Sequence, residues 1–364
     1  MKFLNKIKFC FQKQKAVMVT GRAADTTQEA LFQVLRSRLN IGREVLIYQS
    51  DLPNPKELKK FKFLIKRSRQ PVLVATHAGE YHPEKEFFAG ELSRIAPIKE
   101  LARVMPSYGY LVLNFDDETV RDLKKETSAH VLTFGFGAGA AVRATDVVLT
   151  QTPALGTNFK INYQGNLVPV WLEKLFGKEH IYSALSAAAV GEILGLNLVE
   201  ISSALKFYRG LPGKMRLIEG IKKSWILDDS ESATPLSMAE ALSVLGKINA
   251  GRRKIAVLGD IVGVGQYTIE SHEALGERAA RAAHLLFTVG PRAKFIAQGA
   301  VKSGMVQEKI FQFSHTQEAG LALQKEMREG DLILIDGSKE MKMKEIVEEI
   351  KYIAPTATDN KINH

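Results

Sequence analysis

Residues 16–35 read AVMVTGRAADTTQEALFQVL, from Ala16 to Leu35. The apolar run Ala16-Val17-Met18-Val19 predicts a buried strand, Gly21 a tight turn, and Thr26-Thr27 the opening of a helix. Strand, glycine turn and helix in that order form the layout of a phosphate-binding loop, whose backbone N–H groups and helix N-terminus face the anion. Set against the short form T-G-x-x-G-K-T-T, the chain reads Thr20-Gly21-Arg22-Ala23-Ala24-Asp25-Thr26-Thr27. Ala24 stands where the second glycine belongs and Asp25 where the lysine belongs.

Both changes act against a phosphate. The lysine supplies a positive charge, so a carboxylate removes attraction and adds repulsion. A unit charge pair at ~4 Å is worth about 1 kcal/mol in water and about 4 kcal/mol at an effective dielectric near 20, and reversing one sign costs roughly twice that. Ala24 is also expected to resist a φ > 0 turn that glycine takes freely. Taken alone, the stretch fits an ordinary strand-turn-helix with Asp25 as its N-cap better than a working loop.

Working outward, strands and helices alternate. An amphipathic helix is expected over Gln28–Asn40, a strand at Val45–Tyr48, a very basic helix over Lys56–Arg69, and a strand at Pro71–Thr76. A mostly helical stretch follows from Phe87 to Met105, interrupted by Pro97, and then a strand at Leu111–Asn114. This alternation predicts a parallel, doubly wound α/β sheet with ligands at the carboxyl ends of its strands. Thr20-Gly21, Thr76-His77 and Asn114-Asp116 fall at such ends. Val131–Gln164 reads as a short antiparallel patch. Its Gly135-Phe136-Gly137-Ala138-Gly139 lacks the glycine spacing and the following helix of a dinucleotide site. Two helices are expected within His180–Phe207. Leu211-Pro212-Gly213 marks a domain boundary, and a second α/β unit follows with strands at 225–227, 255–258, 285–289 and 332–335. The expected domains are therefore a basic leader (1–15), a central domain (16–213), a second domain (214–355) and a loose tail (356–364).

The 364 residues suffice for two domains, with 45% hydrophobic and 25% charged residues, an ordinary globular composition. The single cysteine, Cys10, excludes a disulfide framework and a cysteine-based metal site. No apolar run reaches transmembrane length. The net charge of +10 points to an anionic partner. The leader MKFLNKIKFCFQKQK sets five lysines among Phe3, Leu4, Ile7, Phe9 and Phe11, a pattern that can lie on anionic lipid or stand as a solvated segment. Lys56, Lys59, Lys60, Lys62, Lys66, Arg67 and Arg69 form a second basic run. No nucleic-acid-binding motif accompanies either, so nucleic acid is not the expected partner.

Taken in order, the motifs resemble the Mur ligase family, and within it the MurF type. Thr20–Thr27 is similar to its loop. Leu113-Asn114-Phe115-Asp116-Asp117 matches L-N-x-D-D, and Thr133-Phe134-Gly135 with Val142–Val147 resembles T-F-G … V-R-A-x-D-V. Pro212–Met215 resembles P-G-R-M, Asp228–Met238 resembles D-D-S-Y-N-A-N-P-D-S-M, and Ile255–Asp260 and Gly337–Lys339 resemble the strand opening IAVLGD and the closing G-S-R. The resemblance spans about residues 15–350. It implies a central P-loop-type parallel-sheet domain and a C-terminal Rossmann-like domain. It leaves about 15 residues before the loop and no counterpart of the family's N-terminal UDP-binding domain.

The resemblance implies ATP and Mg²⁺ as cofactors and a UDP-MurNAc-peptide or related cell-wall precursor as substrate. The family reaction turns a carboxylate into an acyl phosphate that an amine attacks. By the same resemblance Thr26, His82 and Lys99 are the metal-side residues, with His82, Lys99 and Asp229 catalytic. Thr20, Gly21, Asp25, Thr26, Thr27, Asn114, Asp116 and Ser183 line the nucleotide, and Asp229 and Arg216 line the cleft between domains. The departures concentrate on these contacts. Beyond Ala24 and Asp25, Gln49 replaces a Mg²⁺-binding glutamate, and His180 and Ser183 replace asparagines. Glu231, Ser232 and Thr234 replace Tyr, Asn and Asn, and Asp336 replaces a lysine. Two functions follow: a MurF-like ATP-dependent amide ligase with a rewired site, or an inactive relative that binds precursor or other cell-wall synthesis proteins. Either is expected in the cytoplasm or at the inner membrane surface.

Overall fold

The computed structural model describes residues 9, 14–50, 54–78, 80–82, 87–89, 95–150, 155–231, 233–248 and 253–352, with 80–82 and 87–89 described by their backbone alone. The chain divides into two compact units, residues 1–210 and 211–364.

The first unit is built on an eight-stranded sheet. Its strands are β1 (Lys15–Thr20), β2 (Val45–Gln49), β3 (Pro71–Ala75), β6 (Tyr110–Asn114), β7 (His130–Gly135), β8 (Val142–Thr150), β9 (Gly156–Tyr163) and β10 (Asn166–Glu173). Their order is β10-β9-β8-β7-β6-β3-β1-β2. The run from β2 to β7 is parallel. Strands β4 (Glu80–His82) and β5 (Phe87–Ala89) form a separate hairpin. Alternate residues of each central strand serve opposite faces. Val17, Val19, Val72, Val74 and Val112 join one core. Ala16, Met18, Leu73, Ala75, Leu111 and Leu113 join the other. Burial of both faces explains the continuous apolar runs. The first core takes Ala30, Leu31, Val34 and Leu35 from α1 (Ala24–Leu35), and it takes α5 (Lys178–Ile193) and α6 (Leu198–Leu205). The second takes Phe61, Leu64 and Ile65 from α2 (Pro55–Arg67), and Ile98, Leu101 and Ala102 from α3 (Ile95–Arg103).

Several local expectations are corrected. β7 pairs in parallel with both β6 and β8, and in this sheet only the β8–β9 and β9–β10 pairs are antiparallel, extending to Glu173. Phe87–Ala89 is a strand rather than helix, and Pro97 sits in the first turn of α3, where a missing N–H costs nothing. The left-handed residue of the loop is Ala23 (φ 63), not Ala24, which is already helical. Asp25 lies inside the first turn, and the N-cap is Ala23 with no side-chain cap bond.

The second unit carries a six-stranded sheet of order β11-β12-β16-β13-β14-β15. The strands are β11 (Arg216–Glu219), β12 (Trp225–Asp229), β13 (Lys254–Gly259), β14 (Leu285–Val289), β15 (Ile310–Phe313) and β16 (Leu332–Asp336). β11 and β15 were not expected from sequence; both are four-residue strands without a long apolar run. The helices are α7 (Pro235–Lys247), α8 (Thr268–Ala282), α9 (Lys294–Lys302), α10 (Thr316–Glu326) and α11 (Lys344–Ile350), after the short α4 (Glu118–Arg121) of the first unit.

Candidate functional site

In the first sheet β2 follows β1 on one side and β3 flanks it on the other. The order of strands therefore reverses at the β1/β3 boundary, where α/β sheets bind ligands beyond their strand ends. The loop after β1 and the turn after β3 meet there: the Arg22 N–H donates to the His77 carbonyl at 2.9 Å, and the Thr76 hydroxyl donates to the Arg22 carbonyl. Gly21 (φ 99) is required by this approach, since a Cβ would lie 2.6 Å from the His77 carbonyl oxygen.

The loop hydroxyls turn inward. Thr26 is fully buried, and its Oγ1 reaches Glu179 Oε1 at 3.0 Å and the Ala23 carbonyl at 3.0 Å, while accepting from Ser183 Oγ at 3.2 Å. Thr27 Oγ1 lies 3.2 Å from the same serine oxygen. Behind them Tyr208 donates towards the Thr26 carbonyl at 3.4 Å and its hydroxyl sits 2.9 Å from His180 Nδ1. The expected nucleotide residues Thr26, Thr27 and Ser183 thus form a buried hydroxyl cluster between α1 and α5. Glu179, on the first turn of α5, closes it with a carboxylate. Asp25 Oδ1 accepts from the Thr26 N–H at 2.8 Å, so a second carboxylate engages a backbone donor of the helix N-terminus. Thr20 Oγ1 is buried beneath the loop without a hydrogen-bond partner.

A second cluster forms at the end of β6. Asn114 Oδ1 accepts from the Asp116 N–H at 3.0 Å, so its amide nitrogen is the atom 2.8 Å from His77 Nε2. Nε2 is then an acceptor and the imidazole is neutral. Desolvation lowers the His77 pKa in the same direction, with the Arg22 charge adding and the carboxylates of Asp117, Glu179 and Asp116 opposing. Asp116 accepts from the Phe136 and Gly137 N–H groups at 2.6 and 2.8 Å and from the Tyr182 hydroxyl at 2.9 Å. The Gly135–Gly139 run is explained by this packing: a Cβ at Gly135 or Gly137 would strike Asp116 and one at Gly139 would strike Phe115.

The other expected residues do not join these clusters. Lys99 Nζ pairs with Glu126 at 2.6 Å on the outer helical layer. His82 lies in β4, and its side chain lies outside the described residues, as does Ser232. Gln49 ends β2. Asp229 ends β12 in the second unit, where its Oδ1 accepts from the Met215 N–H at 3.2 Å, and Arg216 opens the neighbouring β11. Thr234 caps α7 in a reciprocal box with Ser237. Glu179, His77, Tyr182 and Tyr208 were missed as site residues. Only His77 carried a sequence signal, its place at a strand end; Glu179 and Tyr208 reach the loop across more than 150 residues, and Tyr182 reaches Asp116 across 66.

The site does not fit a Mg²⁺-bound triphosphate. The hydroxyl that should meet the metal is held by Glu179, the loop lysine is absent, and two carboxylates, Asp25 and Glu179, crowd the helix N-terminus. Among the described residues no cluster of three or more His, Cys, Asp or Glu side chains is arranged to hold a metal.

The Mur ligase middle domain matches residues 71–191, and the Mur ligase, glutamate ligase domain matches residues 213–339, together about two thirds of the chain. The chain belongs to the Mur ligase family. Within the family its likeness is to MurF. The UDP-N-acetylmuramoyl-tripeptide–D-alanyl-D-alanine ligase of Bacillus subtilis (strain 168) is 26% identical over 294 residues, covering 79% of this chain. The chain spans only 61% of the length of that relative. In fold it resembles MurF from Acinetobacter baumannii (TM-score 0.76, 21% identity, 95% of this chain and 79% of that one). It also resembles the MurF ligase from Thermotoga maritima solved in complex with ADP (TM-score 0.74, 20% identity, 95% and 81%). This Mur ligase family member therefore shares the fold of those MurF structures over 95% of its length.

Proposed function

We propose that this Mur ligase family member is a MurF-like protein of peptidoglycan precursor synthesis that binds a UDP-MurNAc-peptide or related cell-wall precursor and does not ligate with ATP at the Thr20–Thr27 loop. The observation that carries the reading is the Glu179 carboxylate on the Thr26 hydroxyl at 3.0 Å. An internal anion thereby takes the place that Mg²⁺ and the outer phosphates need. Asp25 repels the same groups. The net charge of +10 suits an anionic precursor, and binding to other cell-wall synthesis proteins gives the retained fold a use without ligation. A cytoplasmic location, with the basic N-terminus reaching the inner membrane surface, goes with this reading. Among the described residues no helix is long and apolar enough to cross a membrane.

Calorimetry with Mg²⁺-ATP tests it, on the wild type and on Ala24→Gly/Asp25→Lys/Glu179→Gln. The expected result is no wild-type binding at millimolar nucleotide and binding by the triple variant. Micromolar binding by the wild type overturns the reading and returns the protein to the ATP-dependent amide ligases.

A further inference from the structure

The helix α2 carries more positive charge than the fold uses. It buries Phe61, Leu64 and Ile65 against the sheet. At 100° per residue, Lys56, Lys59, Phe63, Lys66 and Arg67 then fall within an arc of about 100° on the opposite face. All four cations in that arc are exposed, and among the described residues none of them is in an ion pair. The two lysines that flank the arc are handled differently. Lys60 lies over the Tyr48 ring at 3.5 Å and near Glu57, and Lys62 pairs with Glu100. Charge is therefore neutralised beside the arc and left open within it. Arg69, just beyond the helix, is exposed as well. Lys15 is near enough to it that burial first, and the Arg69 charge second, hold its ammonium below its usual pKa range.

The aromatic at the centre of the arc meets Phe9. Phe63 is half-buried and its ring centroid lies 6.3 Å from that of Phe9, which is itself buried. In the sequence Lys6 and Lys8 stand within three residues of Phe9. The leader's Phe3, Leu4, Ile7 and Phe11 are interleaved with these lysines.

We propose that the exposed face of α2, through Lys56, Lys59, Lys66 and Arg67, is a docking surface for an anionic phospholipid membrane. An acidic bilayer fits better than an acidic protein or a nucleic acid for two reasons. The cations lie in one strip about 17 Å long on a rigid helix, as a flat charged surface requires. The leader sequence also offers apolar side chains, Phe3, Leu4, Ile7 and Phe11, of the kind that enter the headgroup boundary. The proposal deepens the membrane-surface part of the proposed function and is independent of the nucleotide question.

The test is co-sedimentation of the full chain with vesicles of phosphatidylcholine alone and of phosphatidylglycerol mixed with phosphatidylcholine. It is run on the wild type, on Lys56→Gln/Lys59→Gln/Lys66→Gln/Arg67→Gln, and on a leader variant with Lys2, Lys6, Lys8 and Lys13 changed to Gln. Wild-type binding to the phosphatidylglycerol vesicles only, weakened by added salt, is expected. Each cation near the surface contributes roughly fivefold, so the helix variant should bind at least about a hundredfold more weakly while keeping its circular dichroism spectrum. Absence of wild-type binding, or equal binding by wild type and helix variant, overturns the proposal. Loss in the leader variant with no loss in the helix variant also overturns it, while leaving the leader's own membrane contact standing. Tighter binding of a single-stranded oligonucleotide than of vesicles, through the same four residues, overturns it in favour of a nucleic-acid surface.

Discussion

Asp336 ends β16 fully buried, and neither of its carboxyl oxygens has a hydrogen-bond partner. The parallel register sets it directly beside Asp229 of β12, which is also buried. Burial first, and the Asp229 charge second, push the Asp336 carboxyl well above the usual carboxylate range. The Gly337 N–H opposes the shift but is too poorly placed to make a hydrogen bond. In the unfolded chain the same group ionises near pH ~3.9. A raised acid contributes stability that is fully present below the unfolded pKa and is lost as pH rises towards the folded one. One proton gives a slope of about 1.4 kcal/mol per pH unit, so the loss between pH 5 and pH 8 is at most about 4 kcal/mol. Asp336→Asn keeps the shape and cannot ionise. Urea unfolding from pH 5 to pH 8 should show the wild type losing stability against the variant as pH rises, by no more than that bound. At pH 5 the two should lie within about 1–2 kcal/mol, since a neutral acid and an amide are similarly unsatisfied there. Parallel stability curves would refute the reasoning, because they would mean that Asp336 is already ionised in the folded protein.

Two further perturbations follow from packing. Gly276 of α8 and Gly299 of α9 face each other's helix so closely that a Cβ on Gly276 would overlap the Ile296 carbonyl, and one on Gly299 the Glu273 carbonyl. Gly276→Ala should therefore cost about 3 kcal/mol or more, read as a drop in Tm by calorimetry, because backbone cannot move aside as a side chain can. Tyr208→Phe removes the hydroxyl on His180 Nδ1 and should cost about 1–3 kcal/mol in urea unfolding, the penalty for taking one buried hydrogen-bond partner away. An unchanged urea midpoint would show that the ring packing of Tyr208, and not its hydroxyl, holds α5 against the loop.

Much of the fold was legible because its signals are local. The runs at 16–19, 71–76 and 111–114 are continuous and apolar, as strands buried on both faces must be, and each is a central strand of the first sheet. The short strands β11 and β15 were not legible, since four residues carry too little pattern to stand out from loop. Helix boundaries were displaced where capping overrode composition. α2 begins at Pro55 because the Asn54 side chain accepts from the Lys56 N–H at 2.9 Å. The loop conformation was misassigned by one residue. Sequence marked Ala24 as strained because glycine is usual there, but the chain takes its left-handed step at Ala23 and lets Ala24 pack, buried, into the first turn.

By itself the sequence determined the α/β class, the family and the residues of the loop: Ala24 and Asp25 are read directly, and no fold can return a positive charge to a carboxylate. The tertiary structure alone decided which groups meet the loop hydroxyls. Glu179 stands 153 residues from Thr26 and reaches it because α5 packs along α1. Asp116 was legible as part of a motif, but that it clamps Phe136 and Gly137 is a matter of where β7 leads the chain. Charge and periodicity are properties of neighbouring residues and survive in one dimension. Which carboxylate meets which hydroxyl depends on the register of strands and the packing of helices, and that is settled only when the core closes.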